Sequence, residues 1–378
     1  MTTFFKLDTG QLQNFDAALG PDCTTFRTGG VAVLRALAAR RGWAAALATL
    51  MRSALIPDAG QRKLVQGNLE RKRIRLPQVF GNPIVMAIYG WVKATQAGLL
   101  KAALDAEFSA TDPQITIVYN GSLYPEAVLA TASEGRRRVF VEAGFFPRTL
   151  QIDPVGLNGA NSVPRDPAFY LKTKDDFSAK GLPQAVNNRA SKAAGADSVD
   201  LAPGYIFVPF QVPSDMQVTV HSPWVRDMEM FLDVVREAAD RNPDEIFVIK
   251  EHPSFKRSVK TLRPPHKRVI FANGNVTSEL IENARAVLTL NSTVGIEALL
   301  FDKPVITLGN ACYNIEGLVF HAEDAGALDA AIAQTRGWTH DEKLRRQFVG
   351  YLWNEYLLQG KYDDLPKDLG NQLTSRST

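Results

Sequence analysis

The stretch Ala286–Leu308, AVLTLNSTVGIEALLFDKPVITL, decides the fold class. An apolar run, Ala286–Leu290, stops at Asn291-Ser292-Thr293. A helical segment follows from Val294 to Phe301, and a second apolar run occupies Pro304–Leu308. Neither run alternates polar and apolar residues as a half-solvated antiparallel strand does. The unit therefore reads as strand, crossover helix and parallel strand, covered on both faces. Upstream, Tyr205–Phe210, Glu245–Lys250 and Val269–Phe271 read as strands. Helices are expected over Trp224–Asp240, with Ser222-Pro223 as cap and first residue, and over Thr277–Asn283. Roughly five parallel strands with helical crossovers make a doubly wound domain.

The first half carries the same alternation more faintly. Ile115–Tyr119 and Arg138–Val141 read as strands around a helix over Glu126–Ser133, and Val31–Leu50 as a helix. Lys172–Gly204 is polar and aperiodic, and a linker or mobile loop is expected there. The expected organisation is an α/β domain over residues 1–200, a Rossmann-like domain over 205–340, and a helical segment over 341–378 that packs back on the first domain. Two such domains in sequence suggest a central cleft between them.

Composition limits the function classes. The 378 residues are 45% hydrophobic and 22% charged with a net charge of +3, which suits a soluble protein and gives no argument for nucleic-acid binding. Cys23 and Cys312 form no disulfide framework and fit a reducing compartment. The opening MTTFFKLDTGQ lacks the apolar run of a signal peptide. Ile84–Leu104 is interrupted by Lys93, Gln96 and Lys101, so it reads as a buried or amphipathic helix. A cytoplasmic protein is expected, its membrane contact peripheral at most.

Ligands of open α/β sheets bind beyond the carboxyl ends of the strands. Those ends here carry Gln211-Val212-Pro213-Ser214-Asp215, Glu251-His252-Pro253 after Lys250, Asn291-Ser292-Thr293-Val294-Gly295, and Glu142-Ala143-Gly144. The start of the Val294 helix, with two hydroxyls and free N–H groups, suits a phosphate. Plain N-capping, with Glu297 completing a capping box, explains the same residues. His252 is a phosphate partner or a loop histidine bonded to backbone. Asp215 and Glu142 are catalytic carboxylates or, respectively, a turn former and a solvated acid. Neither a Walker A loop nor a GxGxxG fingerprint is present.

Four blocks stand in order: VEAGFFPRTLQIDPVGLNGANSVPRDPAFY from Val141, FVPFQVPSDMQV from Phe207, KEHP from Lys250, and LTLNSTVGIEALLFDKPVITLGNACYNIEGL from Leu288. Together they resemble the capsular polysaccharide synthesis family of bacterial β-Kdo transferases, over Val139–Tyr170 and Tyr205–Leu318. The resemblance implies a GT-B-like arrangement of two Rossmann-like domains and a donor, CMP-β-Kdo, from which 3-deoxy-D-manno-oct-2-ulosonic acid is transferred with retention. It places Asp215 at the family's proposed nucleophile and Glu142 at its second essential acid. It puts His252, Ser292 and Thr293 on the CMP phosphate and Glu297 near the ribose. Gln211, Pro253, Asn291 and Gly295 fall in the same donor blocks. Lys250, Arg165 and the Asn161-Ser162 pair are candidates for the sugar carboxylate. CMP is a good leaving group, so no metal or other cofactor is required. The implied acceptor is a glycolipid or glycan. The basic run Leu69–Arg75, LERKRIR, ahead of Ile84–Leu104, is either a solvated helix face or a contact with the anionic inner face of the inner membrane. Two other readings stand beside this one: a GT-B transferase or epimerase using a UDP-sugar, and a non-catalytic capsule-assembly or export protein.

Overall fold

A computed structural model describes residues 2–186, 198–255 and 257–377. The chain divides into two compact units. Unit 1 comprises Met1–Gly144, Arg148–Leu157 and Leu358–Thr378; unit 2 comprises Phe145–Pro147 and Asn158–Leu357. The chain thus passes between units at 144/145, 147/148, 157/158 and 357/358, whereas composition alone suggested 200–205 and 340–341. Part of the expected linker Lys172–Gly204 lies outside the described residues. Its described beginning is tied down: Phe177 N–H donates to Gln347 Oε1 at 2.8 Å, and Asn354 Nδ2 donates to the Phe177 carbonyl at 2.8 Å. The polar composition of this strap reflects hydrogen bonding to its own unit.

Unit 1 is built on strands β1 (Phe4–Leu7), β2 (Cys23–Phe26), β3 (Ile115–Tyr119), β4 (Arg138–Ala143) and β5 (Thr149–Asp153). Unit 2 is built on β6 (Ile206–Pro209), β7 (Phe247–Lys250), β8 (Val269–Phe271), β9 (Ala286–Thr289), β10 (Val305–Thr307) and β11 (Phe320–His321). The last strand, β12 (Leu358–Gln359), returns to unit 1, where it pairs antiparallel with β5. The sheet orders are β12-β5-β4-β3-β1-β2 and β11-β10-β9-β6-β7-β8. In unit 2 the pairings between named strands are all parallel among the described residues. In unit 1 the β4–β5 and β5–β12 pairings are antiparallel. The Rossmann-like character expected of both halves is therefore present, with an antiparallel edge on the first.

Each sheet is covered on both faces, which is why inner strands such as Ile206–Pro209, Ala286–Thr289 and Ile115–Tyr119 are mostly buried and apolar. In unit 2, Phe231, Val235 and Leu328 cover one face, while Leu299, Phe348 and Tyr313 cover the other. In unit 1, helices Gly30–Arg41, Trp43–Leu55, Ala59–Arg75 and Pro83–Thr111 lie over one face. Phe15, Leu369 and Leu373 pack on the opposite face. The helix expected over Val31–Leu50 is divided by Gly42, whose φ of 82° is left-handed and ends the first segment. The helix expected from Trp224 begins at Met228. Asp227 is its cap, accepting from Met230 N–H at 2.7 Å, and the Ser222 hydroxyl donates to the Val225 carbonyl at 2.6 Å in the turn before it.

Candidate functional site

The order of the unit 2 sheet sets a switch point between β6 and β9: from β6 the chain proceeds outward to β7 and β8, then crosses back to β9 and β10. Diverging loops open a crevice at such a point. Here one side chain, Asn291, spans it. Its Oδ1 accepts from Gln211 Nε2 at 3.0 Å. Its Nδ2 donates to the carbonyls of Gln217 at 2.8 Å and His221 at 3.1 Å. The loop after β9 is thereby clamped to the loop after β6 and to the turn carrying Asp215. Asn291 is 2% exposed, so these bonds form in a low-dielectric setting where losing one leaves a buried polar group unmatched.

Ser292 caps the helix Thr293–Leu300, its Oγ accepting from Val294 N–H at 3.2 Å. The third helical residue is Gly295, so Glu297 is too far along to complete a capping box. Glu297 is instead fully buried. Gly295 has a packing reason: a Cβ there would lie 2.4 Å from the Tyr313 hydroxyl, which donates to the Ser292 carbonyl at 2.5 Å. Asp215 is exposed and caps the short turn Met216–Thr219, accepting from Gln217 N–H at 3.0 Å. That is the local role of a turn former, held by a carboxylate that remains open to solvent.

The loop after β7 is organised by Glu251, a strand-end acid to which the sequence assigned no particular role. Its buried carboxylate accepts from Val259 N–H at 2.7 Å, Ser258 Oγ at 2.7 Å and Asn273 Nδ2 at 2.8 Å. This fixes the loop that presents His252. His252 and Pro253 are half-buried, and His252 Nδ1 lies 2.8 Å from Ser254 Oγ. His252, Gln211 and Glu251 line one small recess, with Phe255 and Arg257. Lys250 is buried, its ammonium donating to the Asn275 carbonyl.

The candidates Asn161, Ser162 and Arg165 also fall in unit 2. Arg165 donates to the backbone carbonyls of Gly159 at 3.2 Å, Asn161 at 2.9 Å and Val163. Its guanidinium braces the Asn158–Val163 segment; Ser162 is exposed on it. A Cβ at Gly159 would meet the Asn310 carbonyl at 2.5 Å and the His221 ring at 3.3 Å, so this segment is seated against His221. His221 was not a candidate from sequence, because a histidine before Ser-Pro reads as part of a helix opening. Burial holds its imidazole below the usual histidine range, partly offset by Asp215. Among the described residues, His221 Nε2, Asn161 Nδ2 and Gln217 Oε1 are buried polar atoms with no protein partner. Such atoms are costly unless a ligand or water satisfies them.

Glu142 belongs to unit 1. It lies on β4 opposite Gln151 of β5, and together with burial and Tyr119 it helps push the Tyr362 hydroxyl well above the usual tyrosine range. No three His, Cys, Asp or Glu side chains among the described residues are grouped to hold a metal.

The chain belongs to the capsule polysaccharide biosynthesis protein family, whose profile matches residues 179–362. It is 56% identical to Protein FixF of Sinorhizobium fredii over 98% of this chain and 92% of that one. It is 24% identical to the capsule polysaccharide export protein KpsS of Escherichia coli over 61% of this chain and 74% of that one. Among solved structures, the β-Kdo 2,7 transferase of Thermosulfurimonas dismutans KpsC superposes with a TM-score of 0.47 at 16% identity, covering 72% of this chain and 88% of that one.

Proposed function

We propose that this protein is a retaining glycosyltransferase that moves β-Kdo from CMP-β-Kdo to a capsule glycolipid or glycan. The observation that carries the proposal is the Asn291 clamp, which holds the Asp215 turn, Gln211 and the Ser292 helix start around one switch point. The donor's phosphate sits at the Thr293 helix start. The positive helix end contributes about 0.3–2 kcal/mol there, the Ser292 and Thr293 hydroxyls add hydrogen bonds, and His252 supplies a donor. Unpartnered Asn161 Nδ2 and His221 Nε2 are the groups available to the sugar.

In the first step the Asp215 carboxylate attacks the anomeric carbon; a carbon–oxygen bond forms, the bond to phosphate breaks, and CMP leaves. In the second, an acceptor hydroxyl gives its proton to Glu142 and displaces Asp215. Two inversions restore the β configuration. No resident metal or cofactor enters either step. The enzyme is placed in the cytoplasm, its acceptor presented at the inner face of the membrane.

The test combines purified protein, CMP-Kdo generated in situ and labelled acceptors. Asp215→Asn is expected to lower transfer about 10³-fold or more while leaving CMP affinity within about threefold. Glu142→Gln is expected to lose transfer without losing CMP binding. Protection against thermal unfolding by UDP and none by CMP would transfer the proposal to a UDP-sugar. The description of KpsS as an export protein favours a second reading, a non-catalytic assembly factor. That reading requires no turnover by wild-type protein and no effect of Asp215→Asn on capsule assembly in cells.

A further inference from the structure

Helix Trp43–Leu55 of unit 1 is amphipathic with its apolar face outward. Trp43, Leu47, Met51 and Leu55 recur every four residues on one stripe, and all four are exposed, Leu55 at 74%. The residues this helix buries are Ala46 and Ser53. Such a stripe gains nothing from folding and invites association. A second stripe opens helix Pro83–Thr111: Ile84, Ile88 and Val92 recur every four residues beside Trp91, and Ile84 is 69% exposed. The stripes adjoin, because Trp91 Nε1 donates to the Ala54 carbonyl at 2.7 Å. Leu55 and Ile56 therefore run on into Ile88 and Trp91 as one apolar surface.

Positive charge borders it. Helix Ala59–Arg75 carries Arg62, Lys63, Arg71, Lys72, Arg73 and Arg75 against one acid, Glu70. A cavity of about 620 Å³ lies between this helix and the start of Pro83–Thr111. Its walls are apolar at Val65, Leu69, Phe80 and Met86, and Arg62 and Arg73 stand among them. Lys72 sits 5.5 Å over the Phe80 ring. Burial, and less so repulsion from Lys72, holds Lys93 below the usual lysine range. No helix among the described residues is long and apolar enough to cross a membrane. Apolar stripes flanked by arginine and lysine, with tryptophans at the edge, are the features of helices lying in the interface of a bilayer. The one-sided charge selects an anionic surface and opposes a second copy of the same basic face.

We propose that this face of unit 1 docks on an anionic phospholipid bilayer. The stripe Leu47–Ile56 and Ile84–Trp91 enters the headgroup–acyl boundary. Arg62 and Arg73 meet lipid phosphates, and the cavity takes an acyl chain. The proposal does not depend on the transferase reading, since vesicle binding needs neither donor nor acceptor sugar.

The test is flotation of the purified full chain with vesicles of phosphatidylcholine alone or with about one-third phosphatidylglycerol. Wild-type protein is expected to partition about tenfold or more in favour of the anionic vesicles. Leu55→Glu and Ile88→Glu are expected to reduce that binding about tenfold or more. Arg62→Ala and Arg73→Ala should each reduce it about fivefold, and Val155→Glu, also an exposed position of unit 1, should leave it intact. All these positions except the cavity arginines are exposed apolar residues, and unchanged circular dichroism and melting identify folded variants. Equal binding to both vesicles, or full binding by Leu55→Glu and Ile88→Glu, overturns the proposal. A concentration-dependent dimer that Leu55→Glu dissolves, from a wild type inert toward vesicles, overturns it in favour of self-association.

Discussion

The two units close the same topological gap with different chemistry. In unit 1 the switch point lies between β1 and β3. It is spanned by Glu126, which accepts from Thr9 Oγ1 at 2.9 Å and from Tyr119 N–H at 3.0 Å. In unit 2 Asn291 spans the gap between β6 and β9. Glu126 is 4% exposed, and burial pushes its carboxyl up to about 7, against the opposing pull of Thr9, Tyr119 and Lys6. Asn291 does not titrate. Both Glu126 oxygens have protein partners, whereas near Asn291 the buried atoms Gln217 Oε1, His221 Nε2 and Asn161 Nδ2 have none. A buried polar clamp at a switch point is therefore a device of the fold. What distinguishes the unit 2 gap is the unsatisfied amide and imidazole capacity beside it.

Removing the amide clamp should have the largest effect. Asn291→Ala deletes three interloop bonds and takes the partner from the Gln217 carbonyl and the Gln211 amide, while the His221 carbonyl keeps its bond from Asn310 N–H at 2.7 Å; the cost should be about 2–4 kcal/mol by urea unfolding. CMP affinity measured by calorimetry should fall about tenfold or more. A variant that unfolds earlier yet binds CMP normally would detach the clamp from the donor site.

The acidic clamp should show itself in pH. Because the native Glu126 carboxyl titrates near 7 and the unfolded one near 4.5, the native state holds the extra proton between these values. Its contribution is fully present below about pH 4.5 and is lost as pH rises through 7, in total at most about 3 kcal/mol. Glu126→Gln keeps the shape, and the amide can donate to Thr9 while accepting from Tyr119. Its urea midpoint should fall less between pH 5 and 8 than that of wild type; parallel curves would show that Glu126 does not titrate there.

A smaller effect tests the helix start. Gly295→Ala brings a methyl within 2.4 Å of the Tyr313 hydroxyl and should cost about 1–3 kcal/mol. Tyr313→Phe in the same chain should return part of it. No recovery would place the strain elsewhere. Smallest is Leu55→Glu in unit 1, expected to stay within about 0.5 kcal/mol of wild type, because a side chain 74% exposed contributes little by burial. A larger loss would mean that the stripe is covered within the folded chain.

Much of unit 2 was legible because its strands are short apolar runs ended by cap-forming residues; Ala286–Leu290 and the Ser292 cap follow from local chemistry alone. Unit 1 hid its first strand, which lies between β3 and β2. Phe4–Leu7 is interrupted by Lys6, which is 1% exposed and pairs with Asp16 at 3.1 Å. A lysine in mid-run reads as surface until its partner is known. β12 is two residues long and exists only through its pairing with β5, so no local pattern announces it. Of the site, the residue types at strand ends were readable. The Asn291 clamp, the His221 contact and the bracing role of Arg165 were not, since each depends on residues roughly 70 or more positions away or on backbone carbonyls.

The late return of the chain has a consequence for biosynthesis. Leu369 and Leu373 fill the core of unit 1 beside Phe4, Phe15 and Ile115, and β12 covers the edge of β5. The two hundred residues Asn158–Leu357 separate Leu157 from Leu358. At about 5–20 residues per second, the first-made sheet waits roughly 10–40 seconds on the ribosome with an open edge and an unfilled core. Nascent chains are then most dependent on chaperones during translation of unit 2, and shortening the protein from its carboxyl end should send it into aggregates before any loss of donor affinity could be measured.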